Sequence, residues 1–266
     1  MDLGCGRGER LEILGENGFS ALGIDRDDGM LAASRERGLA SEKEDAIECL
    51  KRLPDVSLAI VSGFHIAEHL PFADLRQLVQ ESARVLKPCG LLILETPNPE
   101  NLRVAGTSFY LDPTHERPLP PDLLKFLAQY YGFARIKIVR LQEPAELRAK
   151  ASITLMDVLS GSSPDYALIA QKNGAPAFWI TDDKAFAADC GLRIESLAAR
   201  YDQRLADVEL RVAQRLEVLD ARQREIVETR GWSRRIERFL RWLRVGTLGR
   251  LTLKPGSGRS ASHAGS

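Results

Sequence analysis

The residues best able to do chemistry stand at the start of the chain. Asp2-Leu3-Gly4-Cys5-Gly6-Arg7-Gly8 sets three glycines at alternate positions behind an acidic residue, and Asp25 follows within Gly23-Ile24-Asp25. Glycine has no Cβ, so such a run lets backbone N–H groups come close to a ligand. An acidic residue about 20 residues further on, at the end of the next strand, is placed to accept hydrogen bonds from ribose hydroxyls. Together these residues describe a cradle for a nucleotide-type cofactor: Asp2, Gly4, Gly6 and Gly8 form the loop, and Asp25 with Arg26 sits beside it.

Further positions extend the cradle. Glu44-Asp45-Ala46 precedes a helix-like stretch, where Asp45 can take a hydrogen bond from an adenine amino group, cap the helix, or do both. The apolar run Leu58–Ser62 leads into Gly63-Phe64-His65, and Phe64 is expected to cover part of the cofactor. His65-Ile66-Ala67-Glu68-His69 has the spacing of a metalloprotease helix. It follows a strand directly and meets Pro71, which excludes that reading. A polar, proline-rich segment then runs from Glu95 through Asp112-Pro113-Thr114-His115 to Pro120. Its place after a strand end is where open α/β sheets bind ligands. His115 is the first candidate for a general base, with His69 and Glu68 next. Ordering of the loop by these same side chains is the alternative.

The pattern D-x-G-x-G-x-G resembles motif I of class I S-adenosylmethionine-dependent methyltransferases more than the glycine pattern of dinucleotide dehydrogenases. Leu86-Lys87-Pro88-Cys89-Gly90 resembles the family's L-K-P-G-G turn, with Cys89 in place of the first glycine. Over residues 1–172 the chain resembles bacterial methyltransferases that act on surface polysaccharide, including O-antigen chain terminators. The D-P-T-H-x-R-P-x-P string of residues 112–120 and Tyr130-Tyr131-Gly132-Phe133 carry that likeness. The resemblance implies S-adenosyl-L-methionine as cofactor and O-methylation of a bacterial surface glycan or its precursor. Small-molecule O-methylation is the alternative within enzymes, and a non-catalytic coiled-coil scaffold is the alternative outside them. Some O-methyltransferases read E-x-x-E-H where this chain reads His65 to His69, and those can bind a divalent metal. With His65 at the first acidic position, no metal site is assigned from the sequence. Some chain terminators carry a kinase domain, and none is visible in this sequence.

The elements that must position these residues alternate along residues 1–172. Strands are expected at Ser20–Ile24, Leu58–Ser62, Gly90–Glu95, Ala134–Arg140 and Tyr166–Gln171. Helices are expected at Arg7–Asn17, Asp28–Arg37, Ala46–Lys51, Phe72–Val85 and Pro121–Tyr131. A short third strand fits before Glu44. The alternation predicts parallel β-α units in a Rossmann-like α/β fold. The first strand is abbreviated, since only Met1 to Leu3 precede the glycines, and an upstream apolar segment is expected to complete it.

Residues 173–190 read as a linker. From 191 to 230 apolar residues recur every seven, at Leu205, Val212, Leu219 and Ile226, as in a coiled coil. Self-association or a partner protein is expected there, and a single long helix packed on the domain is the alternative. Residues 231–253 form a basic amphipathic helix: Trp232, Ile236, Phe239, Leu240 and Leu243 on one face, arginines opposite. That pattern predicts attachment to an anionic membrane surface. Residues 254–266 read as a disordered tail.

The 266 residues carry 37 basic and 37 acidic side chains. The charge is uneven: residues 231–266 hold eight basic residues against Glu237 alone, a net +7, which leaves −7 elsewhere. An acidic catalytic region repels phosphate backbones, so no nucleic-acid partner is expected. The four cysteines lack C-x-x-C spacing and suggest neither a disulfide framework nor a zinc site. The expected location is cytoplasmic, at the inner face of the membrane if the tail attaches.

Overall fold

In the computed structural model, residues 1–174 and 183–248 are described. They divide into two units, Met1–Arg204 and a second beginning at Leu205.

The first unit is built on a seven-stranded sheet with strand order β3-β2-β1-β4-β5-β7-β6. The strands are β1 (Asp2–Leu3), β2 (Gly23–Asp25), β3 (Ser41–Lys43), β4 (Leu58–Phe64), β5 (Leu86–Pro97), β6 (Phe133–Leu141) and β7 (Asp165–Lys172). Between them run α1 (Glu9–Glu16), α2 (Asp28–Glu36), α3 (Ala46–Arg52), α4 (Phe72–Val85), α5 (Leu102–Gly106), α6 (Pro121–Tyr130), α7 (Ala145–Ala149) and α8 (Leu155–Ser160). The expected Rossmann-like α/β architecture is present.

The expected run of parallel units is broken by one of these seven strands, β7. β7 pairs antiparallel with both β5 and β6, with Ile93 opposite Ile169 and Lys137 opposite Ile169 on the other side. The chain passes β6 out to the edge and returns through α7 and α8. It then enters the gap between β5 and β6 from the opposite end.

The core follows from the apolar spacing. On α4, Leu75, Leu78, Val79, Ser82 and Val85 recur at helical intervals and are all buried. Pro71 precedes the helix, and Leu86 is already extended at φ −67° and ψ 138°. Leu92 and Leu94 of β5, Leu3, Ile24 and Val61 join the same cluster. Tyr166 is fully buried, and its hydroxyl donates to Leu119 O at 2.7 Å, which ties β7 to the loop before α6. Cys89 departs from the L-K-P-G-G pattern at a cost: its φ is +64°. That left-handed conformation brings a Cβ close to a carbonyl oxygen, about 1–2 kcal/mol for a residue other than glycine.

α9 (Asp183–Ala187) lies in the segment read as a linker, and α10 (Ile194–Leu248) is a single helix of 55 residues. The first turns of α10 belong to the first unit. Leu197 is buried against Leu147, Ile153 and Val158, with Ile194 and Tyr201 beside it. Arg200 and Arg204 donate to the carbonyls of Leu147, Lys150 and Ile153.

In the second unit α10 continues with exposed side chains through Arg244. The segments read as coiled coil and as amphipathic helix are therefore one helix as far as Leu248. Ile236 and Leu243 continue the seven-residue spacing of Tyr201 and Val208, and Leu240 continues that of Leu205 to Ile226. Residues 249–253 and the tail 254–266 lie outside the described residues. No helix among the described residues is long and apolar enough to cross a membrane.

Candidate active site at the C-terminal ends of the strands

The parallel strands β1 to β4 deliver their last residues to one edge. There Gly4, Ile24, Asp25, Arg26, Glu44, Asp45, Ala46, His65 and His69 line a cleft of about 270 Å³. Of the glycine loop, Gly4 lines it. Gly4, Gly6 and Gly8 all have positive φ, at 66°, 54° and 86°. At Gly8 a Cβ would lie 2.7 Å from Leu39 Cδ1 and 2.8 Å from Ser34 Oγ, so an added side chain would have to displace both.

Asp25 holds the loop as well as facing the cleft. Its Oδ2 accepts from Gly6 N at 2.8 Å and its Oδ1 from Asp27 N at 2.8 Å. Each carboxylate oxygen has a second lone pair, so acceptor capacity remains for a diol. Asp45 is a helix cap: Oδ1 accepts from Ile47 N and Glu48 N, both at 2.9 Å. Its Oδ2 is paired with Arg26. Asp2 is buried behind the loop and takes the Ser62 hydroxyl at 2.6 Å, while burial pushes its carboxyl pKa upward. Asp2, Gly6 and Gly8 thus shape the cradle without lining the cleft.

Phe64 is not among the residues that line this cleft. Its ring lies beneath the Arg10 guanidinium, 2.9 Å from Cζ to the centroid, and faces a second cleft with Phe19 and Ile60. His65, just past the end of β4 with φ +53°, is turned into the cofactor cleft instead.

Beside the cleft the three proposed catalytic side chains meet. Glu68, His69 and His115 each offer a ligand or proton-accepting atom within 4.8 Å of the others. Ala67–His69 is a 3-10 turn after β4, and His115 comes from the loop after β5. The imidazoles of His69 and His115 stand edge to face, with centroids 4.7 Å apart. His115 Nδ1 lies 2.6 Å from the carbonyl of Phe109, which accepts its proton. His69 Nδ1 lies 2.9 Å from Thr114 Oγ1, which donates to Asp112 Oδ1 at 2.6 Å. Both Nδ1 atoms carry hydrogen, so a neutral ring presents Nε2 as a bare lone pair. Glu116 N donates to the Glu68 carbonyl at 2.8 Å and draws the two segments together.

Glu68 is fully buried, and its Oε2 has no hydrogen-bond partner among the described residues. Its Oε1 faces His65 Nδ1 at 3.0 Å, while His65 Nε2 lies 3.6 Å from Glu95 Oε1. Glu68, then Glu95, holds the His65 imidazolium up to a pKa of about 10. Arg10 closes the chain of charges 3.8 Å from Glu95. Sequence reasoning placed neither Glu95 nor Arg10 in the site. A glutamate inside a buried β5 run was the available signal, since an ionised residue there needs a partner.

With this geometry in view, similarity to known proteins is informative. The profile of a family described as a methyltransferase domain matches residues 1–94. A probable S-adenosylmethionine-dependent methyltransferase of Mycobacterium tuberculosis is 30% identical over 209 residues, covering 78% of this chain and 72% of that protein. The chain belongs to the S-adenosylmethionine-dependent methyltransferases. A solved structure of such a methyltransferase from Archaeoglobus fulgidus is similar at 35% identity and a TM-score of 0.59, over 64% of this chain and 84% of that one. A ubiquinone biosynthesis O-methyltransferase of Idiomarina loihiensis is 31% identical over 103 residues, 37% of this chain and 42% of that protein. The methyl donor of this methyltransferase is S-adenosylmethionine. The glycine loop and the Asp25 carboxylate at the cleft fit the nucleoside part of such a donor.

Proposed function

We propose that this methyltransferase transfers a methyl group to a hydroxyl oxygen, and that the acceptor is a bacterial surface glycan or its lipid-linked precursor. The observation that carries the oxygen-transfer reading is the convergence of Glu68, His69 and His115 beside the donor cleft. The donor supplies an already activated methyl group, so the enzyme mainly positions the two reactants. A hydroxyl acceptor gains from a group that takes its proton in the transition state. His115 Nε2 is the favoured base, with His69 and Glu68 behind it. The glycan half rests on the 112–120 loop and its exposed neighbour Tyr110, whose ring is available to stack on a sugar face.

The similarity to a ubiquinone biosynthesis O-methyltransferase favours a second reading, a small phenolic acceptor. Transfer of labelled methyl from S-adenosylmethionine tests the two. Purified glycan or lipid-linked oligosaccharide that takes label, beside an unlabelled catechol, supports the first; the reverse result replaces it.

For α10 we propose self-association through the seven-residue seam. Because Ile236, Leu240 and Leu243 continue that seam, a second copy of the helix competes with an anionic membrane surface for the same apolar face. Attachment at the inner membrane remains part of this proposal, and vesicle binding separates the two.

A further inference from the structure

The loop that carries His115 continues into Arg117, and a strip of side chains leads away from it across α4 and α6. The Arg117 guanidinium lies over the Phe72 ring, 4.3 Å from Cζ to the centroid. Phe72 and Arg76 stand about one turn apart on the exposed face of α4. Arg76 Nε donates to the Tyr131 hydroxyl at 3.3 Å. The Tyr131 ring meets Tyr130 edge to face at 5.1 Å, and Tyr130 meets Phe126 at 6.2 Å. Cations and aromatic rings thus form one unbroken line that begins two residues from the favoured base.

Three properties of the strip call for a ligand. Its outer rings lie bare to solvent, with Phe126 60% and Tyr130 67% exposed, and neighbouring exposed rings of this kind mark interaction surfaces. Its charges are not answered by the protein: among the described residues neither Arg76 nor Arg117 is paired with a carboxylate. Nε and Nη2 of Arg117 are buried and have no acceptor there, which calls for an explanation. The strip is also continuous with the loop that presents His115.

We infer that this strip binds the chain of an acidic oligosaccharide, one carrying carboxylate groups, which runs from the acceptor hydroxyl out over α4 and α6. This rests on the glycan reading proposed above and adds the charge and the path of the acceptor. The C–H faces of a pyranose ring are slightly positive and pack on the negative face of an aromatic ring. A carboxylate on a neighbouring sugar takes a planar guanidinium through two parallel hydrogen bonds. A membrane-binding face instead gathers its apolar side chains on one side and its cations on the other; here the two alternate. The surplus of acidic residues outside the tail acts weakly at the strip, because exposed charges are screened over ~8–10 Å.

The test uses the full chain and calorimetry with three probes of similar length: hexagalacturonate, the neutral maltohexaose and the acidic peptide hexaglutamate. Hexagalacturonate should bind, and each of the other two should bind about tenfold more weakly or less. Phe126→Ala and Tyr130→Ala, both at exposed positions, should each weaken hexagalacturonate binding about twofold to tenfold. Arg76→Gln should weaken it too and flatten its dependence on salt. S-adenosylmethionine affinity should stay native in all three variants, which shows that the domain is folded. No hexagalacturonate binding at millimolar concentration would overturn the inference. So would affinity that survives the Phe126→Ala, Tyr130→Ala double substitution, or equal affinity for hexaglutamate, which would make the strip a site for acidic protein segments. Hexagalacturonate bound at the strip, with no glycan taking methyl label, would leave the strip standing and remove the acceptor reading. A glycan methylated with a KM that both ring substitutions leave unchanged would do the reverse.

Discussion

His65 Nδ1 lies 3.0 Å from Glu68 Oε1, and that short contact sets the electrostatics of the site edge. A histidine at the end of β4, with φ +53°, is turned out of the strand and into the space between two glutamates. The imidazolium is thereby stabilised in the folded protein and not in the unfolded chain.

A pH dependence follows. The folded pKa of His65 is raised to about 10, against ~6.5 for an unperturbed histidine. A raised histidine contributes stability that is fully present below ~6.5 and lost as pH rises toward 10. The ring is 44% exposed, so solvent screens the effect. The gap in melting temperature between the native chain and His65→Gln should therefore narrow from pH 6 to pH 10. A gap that stays constant would show that the pair does not titrate as described.

Asp25→Ala should weaken S-adenosylmethionine binding about tenfold or more, because charge-assisted hydrogen bonds contribute ~1.5–3 kcal/mol. Asp25 also anchors the Gly6 and Asp27 N–H groups. Asp25→Asn is the companion variant, since it keeps an acceptor for the loop. Calorimetry that finds native affinity in both variants would remove Asp25 from the donor site.

His115→Ala should slow methyl transfer by ~10²–10⁴-fold while donor affinity stays nearly intact. A drop of only a few fold would assign His115 to loop order, through its bond to Phe109, and make His69 the next candidate.

Gly8→Ala should cost about 1–2 kcal/mol from the left-handed backbone alone, and more from contact with Ser34 and Leu39. Urea unfolding reads this as a lowered midpoint with an unchanged slope. A native midpoint would mean that the loop adopts another backbone path.

Deleting residues 231–266 should release the protein from anionic vesicles, and salt should do the same, since exposed charges are screened over ~8–10 Å. Co-sedimentation at low and high salt measures both effects. Equal pelleting of the full and shortened chains would leave the apolar face of α10 to a second copy of the helix.

The parts of this molecule that obey a local period were legible in the sequence. Phe72–Val85 is the helix expected, with Pro71 before it and Leu86 already extended after it. The glycine loop and Asp25 come together as read, because their spacing reflects one strand–helix–strand unit. Strand β2 begins at Gly23 rather than Ser20, since its neighbour β1 pairs with it only at Asp2 and Leu3. Phe64 and His65 were harder to place: strand alternation and one positive φ decide which faces the cleft, and neither shows in residue types. The meeting of His69 with Thr114 spans 45 residues and depends on how the loop after β5 returns. The direction of β7 was equally hidden, because it depends on the route taken by α7 and α8.

That direction has a consequence for how the chain is made. Among the described residues β7 is the last strand to be synthesised, yet it lies between β5 and β6 rather than at a margin. Until Lys172 has left the ribosome, β5 offers an unpaired strand edge rich in leucine and isoleucine. Open edges of that kind invite pairing with other chains, and emerging domains expose them for as long as translation lasts. A nascent chain paused before Asp165 is therefore at its most vulnerable, and chaperone occupancy should peak there and fall once β7 inserts.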